Sequence, residues 1–451
     1  MGRSLSTAGS DDKRMFGTVS DRFYAAIGVG RPENTFDNNN AISVFLMGAL
    51  PAVAGSAISF LLGTFFVWGV FSLWRRRFPF RLTRSDRAMA GTFSAFALLN
   101  LVCALLAENP LQAFTKGLWL LPFLSLWVVI PRLRASPTLD YLKLYIAGAV
   151  VGCFAALAIA LIQLGILGMR VSGGAGNAAV FAVMCLCLTG MAGLAIDARR
   201  RSLRLVALVA MLAGSIAIAP SLSRSTVLAL VPVLILLFFY APGRWRTIAL
   251  HPVALVALGG AGLLLYTMWD VIDRRFLHTL WEVGQLLSDR HTTSIGERFR
   301  LWNVAWQAFK DAPVWGYGFQ NRMDVVNAFL AQDGLRIYEF SHPHNGFLAA
   351  ALDGGVVVLA SLLVVLAMPV AVAWRAPRDE AHRRRLFLAL IVSVAYALTG
   401  LANIIFKHDI LDSFYIFTAI VVAASIPSRG SGTARRPQSP PDENFVPDQS
   451  A

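Results

Sequence analysis

Charge is scarce in this sequence. Asp, Glu, Lys and Arg together make up 15% of its 451 residues, where a soluble domain carries about 25%. That shortage excludes an ordinary water-soluble globule. Hydrophobic residues make up 56% of the chain, and they fall in runs of roughly 17–25, the length that crosses a hydrocarbon core as a helix. Strand-like alternation is missing too, which excludes a membrane β-barrel. Lipid offers no partner for an unpaired N–H or C=O, so the spans must be helices. The expected fold is an all-α polytopic membrane protein with about twelve transmembrane helices and one large extracytoplasmic loop containing amphipathic helices.

Cysteine is nearly absent. The four present, Cys103, Cys153, Cys185 and Cys187, all lie inside apolar runs, so they read as small core or lipid-facing residues and not as disulfides or metal ligands. No short basic start followed by an apolar core marks a cleavable leader. The formal net charge of +14 would suggest nucleic acid in a soluble chain. No RNP motif, zinc finger or basic helix accompanies it, so no nucleic-acid partner is expected. There is no GxSxG, P-loop, HExxH, Asp-x-Asp or glycosidase-type carboxylate pair. The apolar spans carry almost no charge, which argues against an ion pump or proton-coupled carrier.

The positive charge instead marks topology. Residues 1–40 read as a cytoplasmic tail, 41–270 as spans one to nine, 271–343 as a periplasmic catalytic loop, 344–427 as spans ten to twelve, and 428–451 as a disordered cytoplasmic tail. With the N-terminus inside, the basic loops at 75–77, 132–134, 199–201, 244–246 and 383–385 all land in the cytoplasm, as the positive-inside rule requires. The other side holds AENP, a lone Arg170, a lone Arg224, the long loop and a lone Lys407. Within the long loop, eight basic residues from Arg274 to Arg336 balance eight acidic ones from Asp273 to Glu339, so it is no general cationic patch. Its stretch GERFRLWNVAWQAF places Phe299, Trp302, Ala305/Trp306 and Phe309 at helical spacing, as expected of an amphipathic interfacial helix. Pro313 and the glycines of WGYGF should end it.

Three groups of residues can carry chemistry. Arg224 opens span eight behind Ser223 and ahead of Ser225 and Thr226; a helix start directs N–H groups and a positive dipole end at bound anions. The bland alternative is an arginine snorkelling to headgroups. Arg298 and Arg300 lie two residues apart, so on a helix they diverge by about 200° and cannot face one ligand equally. Arg298 stacks one turn from Trp302 and is the better placed, and arginine grips two phosphate oxygens at once. The third group is HPHN, 342–345, before span ten. A neutral imidazole can take a proton from a hydroxyl nucleophile. His344 at the helix start, beside Asn345, suits that role better than His342. A zinc site would need further ligands that the sequence does not supply.

SRSTVLAL, then GERFRLW with DAPVWGYGF, then HPHNGFLAAALDGG, resemble the shared core of the bacterial O-antigen ligase and O-antigen polymerase superfamily. The resemblance covers about residues 205–370 by motif and the whole chain by topology. The family's His-Asn pair followed ten residues later by glycine is matched by His344, Asn345 and Gly355. The small or hydroxyl residue often found after that glycine is replaced by the apolar stretch 356–359. The resemblance implies a bacterial inner-membrane glycosyltransferase with its active site facing the periplasm. It would move a glycan from undecaprenyl pyrophosphate to a sugar hydroxyl of lipid A–core in lipopolysaccharide biosynthesis, with no cofactor, metal or ATP. It further implies Arg224 and Arg298 on the donor pyrophosphate and His344 as the base. Arg300, His342, Asn345, Ser223 and Trp302 would then touch substrate. The polymerase, a protein O-oligosaccharyltransferase with the same donor, and a lipid or polysaccharide transporter are the alternatives.

Overall fold

The structure, a computed structural model, describes residues 21–107, 109–241, 294–319, 321–332 and 342–427. Among these residues there are helices and no strands. Seven helical stretches are long and apolar enough to cross a membrane, and Arg224–Tyr240 is a shorter apolar helix. The chain is a multi-pass membrane protein. The expected ninth span, 251–270, lies outside the described residues, as does most of the expected loop before 294 and both distal tails.

After a helical stretch at 21–27, α1 (Thr35–Ala49) also starts inside the stretch expected to be tail. Asn34 caps it by accepting the Asp37 N–H at 2.9 Å, and Asn40 is buried, accepting from Arg132 Nε at 2.9 Å. A polar run at a helix start is as compatible with capping as with a turn, and here the cap won. There follow α2 (Ala57–Trp74), α3 (Arg84–Leu105), α4 (Pro110–Gly117), a 3₁₀ turn Leu118–Leu124, and α5 (Leu126–Arg134). Next are α6 (Tyr141–Leu161), α7 (Ala178–Gly193), α8 (Arg201–Ile218) and α9 (Arg224–Tyr240). After the undescribed stretch come α10 (Ser294–Asp311), α11 (Arg322–Gln332), α12 (Gly346–Arg375), α13 (His382–Gly400) and α14 (Asp409–Ala424).

The core sits on α7 and α14, which are buried almost throughout. α1 lies against α6 at backbone contact: a Cβ on Gly48 would stand 2.3 Å from Tyr145 O, and one on Gly148 2.2 Å from Phe45 O. Small residues let membrane helices approach this closely. α9 and α13 run antiparallel. Arg383 donates to Phe239 O at 2.8 Å and Tyr240 packs on Phe387, so the far end of α9, with Arg224, stands beside the end of α13. That end also holds the start of α12, because Gly346 and Gly400 both close on Ile405.

Several charges of the expected cytoplasmic loops are buried in the bundle. Arg132 and Arg385 are fully buried. Arg132 donates to Phe65 O at 3.0 Å as well as to Asn40, Arg385 donates to Asp379 at 3.0 Å, and Arg134 pairs with Asp86 at 2.9 Å. These groups sit near helix ends with partners in place, which is how membrane proteins tolerate them.

α12 is broken. Gly354 and Gly355 leave helical geometry, Gly355 at φ +62°. The 313–318 loop fills the break: Tyr317 N–H donates to Leu352 O at 2.7 Å, Gly318 N–H to Asp353 O at 3.0 Å, and Val356 N–H to Pro313 O at 2.8 Å. The backbone groups that the break frees are thus satisfied by a second segment, as a low-dielectric setting demands. Above it, α10 buries Leu301, Val304, Ala305 and Ala308 against Val326 and Leu330 of α11 and Leu352 of α12. Of the expected apolar positions, Ala305 is buried in this seam and Phe309 packs against it, while Phe299 and Trp306 are exposed. Replacing Gly355 with Ala should lower thermal stability by more than about 1 kcal/mol, because its Cβ would lie 2.2 Å from Val314 O. Gly63, in α2 with nothing within 4 Å, is the control. Melting of Gly63→Ala should match or exceed wild type, and equal melting of both variants would deny that the break is strained.

Candidate active site at the start of the broken helix

Asn345 ends the approach to α12. Its Oδ1 accepts the N–H groups of Phe347 at 3.0 Å and Leu348 at 3.1 Å, a helix N-cap. Its oxygen is thereby engaged in the cap. One residue earlier, His344 stands at φ +51°, a left-handed conformation that costs a non-glycine residue energy unless something holds it. Two bonds hold this turn. The His344 N–H donates to His342 Nδ1 at 3.0 Å, and Trp302 Nε1 donates to Pro343 O at 3.0 Å. The two imidazole rings lie 4.2 Å apart, edge to face. Trp302 thus acts as a strut from α10, and His342 as a backbone acceptor.

An acceptor Nδ1 requires His342 to be neutral, with its proton on Nε2. Its surroundings agree. Burial first, then His344, Arg322 and Arg298, push its pKa down to about 3. Burial, then Arg298, push His344 down to about 4. Both rings are therefore neutral at physiological pH, with His344 holding a free-base form suited to proton abstraction. Arg298 lies four residues before Trp302, one turn away on the same face, and its charge acts on both histidines. Arg300 is half-buried and points elsewhere, as its two-residue offset implies.

The structure thus brings together His342, His344, Arg298 and Trp302. Arg224 and Ser223 share the same end of the bundle, at the start of α9. Ser223 is buried and its hydroxyl bonds Thr226 Oγ1 at 2.9 Å, while Arg170 Nε reaches Ser221 O at 3.0 Å. Ser223 therefore stiffens the turn that presents Arg224.

A neighbouring cluster was not singled out in the sequence. Asp353, 1% exposed, accepts from Arg322 NH1 at 2.9 Å and from Lys407 Nζ on the same oxygen. The Phe319 ring lies under both cations, 4.9 Å from the Arg322 guanidinium and 4.6 Å from the Lys407 ammonium. The signal available was an aspartate inside an apolar run, with a lone lysine between the last two spans.

Two measurements test this geometry. Trp302→Phe should speed amide exchange across 344–348 by about five- to tenfold, the size of one hydrogen bond of roughly 1 kcal/mol; unchanged exchange would remove the strut. Both histidines have lower pKa values folded than unfolded, so their contribution to stability is present above about pH 6.5 and lost as pH falls towards 4. Melting temperature should decline across that window, and Arg298→Gln should raise the His344 pKa seen by NMR.

Comparison with known proteins agrees with where these residues lie. Residues 206–363 match the family described as O-Antigen ligase, a span that contains Arg224, Arg298, His342, His344, Asp353 and the break in α12. An uncharacterized protein of Haemophilus influenzae is 25% identical over 142 residues, covering 30% of this chain and 35% of that protein. The match spans about a third of that relative's length. Residues 206–363 are thus similar to the O-antigen ligase family.

Proposed function

We propose that the protein is an O-antigen ligase of the bacterial inner membrane. It transfers a glycan from undecaprenyl pyrophosphate to a sugar hydroxyl of lipid A–core, on the periplasmic side, with both termini in the cytoplasm. The observation that carries this reading is His344 at the start of α12, held in a left-handed turn by the Trp302 and His342 hydrogen bonds. His344 takes the proton of the acceptor hydroxyl. The hydroxyl oxygen bonds the anomeric carbon of the donor, and the carbon–oxygen bond to the pyrophosphate breaks. The electron pair leaves on the pyrophosphate, where Arg224 and Arg298 meet the developing charge. Fixed guanidinium groups in a low-dielectric site can do the work often given to a metal, and each such contact is worth about 10²–10³ in rate. A base opposite the leaving group implies inversion at the anomeric carbon.

The charge of Arg298 adds an ordering. With the site empty it holds the His344 pKa down. A bound pyrophosphate offsets that charge, so the imidazole becomes a stronger base once the donor is in place. The polymerase reading keeps this chemistry and changes the acceptor, as does a protein O-oligosaccharyltransferase. A transporter would draw support from the broken α12. Against it, the break lies two turns from the helix start and is filled by the 313–318 loop.

In a purified transfer assay His344→Ala should abolish turnover while the protein still folds; substantial residual transfer would remove it as the base. The acid limb of kcat/KM should fall near pH 4, following the free enzyme's imidazole. In Arg298→Gln that limb should move up but stay below 6.5, because burial, the larger cause, remains. Arg224→Lys and Arg298→Lys should each lose about 10²–10³ in rate, since lysine cannot make the two-point phosphate contact. Near-normal turnover in both would make them interfacial anchors, and a retained anomeric configuration by NMR would contradict direct displacement.

A further inference from the structure

At the end of the bundle away from the histidines, α2 passes into α3 through residues 75–83. The other end of α3 meets the 313–318 loop, where a Cβ on Gly318 would lie 2.7 Å from Ala107 Cβ. The 22 residues of α3 therefore set this connection about 33 Å from that loop. Six arginines stand here: Arg75, Arg76, Arg77, Arg81, Arg84 and Arg87, all exposed. Asp86 is the one acid in the stretch. It is buried, paired with Arg134 at 2.9 Å, and accepts the Thr83 N–H at 2.8 Å in the cap of α3. Among the described residues none of the six arginine side chains has an ion pair or a hydrogen bond.

Keeping a loop on one side of a membrane requires charge and no particular geometry. The geometry here is specific, and it costs stability. α2 closes with the Arg76 N–H on Leu73 O at 2.9 Å and the Arg77 N–H on Ser72 O at 2.8 Å, the Schellman pattern whose left-handed position glycine usually fills. Arg76 fills it instead, at φ +54°, and gains no hydrogen bond or ion pair within the described protein in return. Arg84 and Arg87 occupy the first turn of α3, where the helix dipole disfavours cations. The loop is nevertheless pinned, because Phe78 is buried and packs 6.0 Å from the Phe36 ring. Trp74, 72% exposed, and Phe80, 54% exposed, stand on either side of the Arg75–Arg77 run. The Arg75 guanidinium lies 5.2 Å from the Trp74 ring.

Exposed aromatic rings beside cations suit the boundary between headgroups and acyl chains. A soluble acidic partner would leave Trp74 and Phe80 in water, and a zwitterionic surface would leave the arginine charge unanswered. We infer that this loop is a docking surface for anionic phospholipid of the bilayer. Arg75, Arg76 and Arg77 hold the phosphates, each able to grip two oxygens, and Trp74 and Phe80 sit among the first carbons of the chains. In the proposed topology this is the cytoplasmic leaflet. The inference rests on the chain spanning a membrane and not on any transfer activity.

The test is lipid binding to the full-length protein in a neutral detergent, read by native mass spectrometry. The probes are dioleoylphosphatidylglycerol and dioleoylphosphatidylcholine. The phosphatidylglycerol should bind about tenfold tighter, since each arginine near an anionic surface is worth about fivefold. Arg75→Gln, Arg76→Gln and Arg77→Gln combined should remove that preference. The same charge removed from another exposed run, with Arg199→Gln, Arg200→Gln and Arg201→Gln combined, should leave it. Arg76→Gly separates binding from folding: it should raise the melting temperature by relieving the left-handed position, yet weaken phosphatidylglycerol binding about fivefold. Equal affinity for the two lipids would overturn the inference, and so would equal loss in both triple variants. An Arg76→Gly protein that melts higher and binds phosphatidylglycerol undiminished would also overturn it.

Discussion

The break in α12 is the constraint on which the rest of this end of the molecule depends. A span interrupted at Gly354 and Gly355 exposes carbonyls and an N–H that nothing in lipid can satisfy. The 313–318 loop supplies the partners, with bonds to Leu352 O and Asp353 O and from Val356 N–H. Because that loop follows directly on α10, closing the break fixes α10 over the start of α12. Fixing α10 sets Trp302 on Pro343 and Arg298 beside the histidines. The geometry around His344 is thus inherited from a backbone repair two turns further along the helix.

The same repair accounts for two motifs that read in the sequence as separate. The glycines of WGYGF and of LDGG are halves of one contact: a Cβ at Gly316 would stand 2.5 Å from Leu352 O, and one at Gly355 2.2 Å from Val314 O. Asp353, between them, sits where a helix break leaves room for Arg322 and Lys407 to reach it. A carboxylate so buried is tolerable because two cations share it, and removing either would leave a costly imbalance. That cluster also joins the loop after α13 to α11 and α12, so the pieces around the site are tied by charge as well as by packing.

Much of this was legible beforehand, and what was not has physical reasons. Long apolar runs announce spans, and the order SRSTVLAL, GERFRLW, HPHNGF announces the likeness to the O-antigen ligase family that residues 206–363 carry. The offset of Arg298 and Arg300 already separated them on a helix, and the charge acting on His344 comes from Arg298. The start of α1 was misread because Asn34 and Asp37 have the composition of a turn and act as a cap. The spacing on α10 announced an amphipathic helix, but not that Leu301, Val304, Ala305 and Ala308 would form its seam with α11 and α12, since a close helix crossing depends on the partner's shape. Arg322, Asp353 and Lys407 were not linked beforehand because they lie in three separate segments, and only the folded chain makes them a cluster. Asn345 looked like a ligand residue and proves to spend its oxygen on a helix cap.

The central claim is that this site moves a lipid-linked glycan onto lipid A–core. The measurement that tests it most directly is deletion of the gene, with the lipopolysaccharide gel read beside the undecaprenyl-linked glycan pool. Bare lipid A–core, together with long glycan chains stranded on undecaprenyl pyrophosphate, is the predicted result. An unchanged gel would contradict it, and so would core carrying a single repeat unit, which would assign the chain to polymerisation.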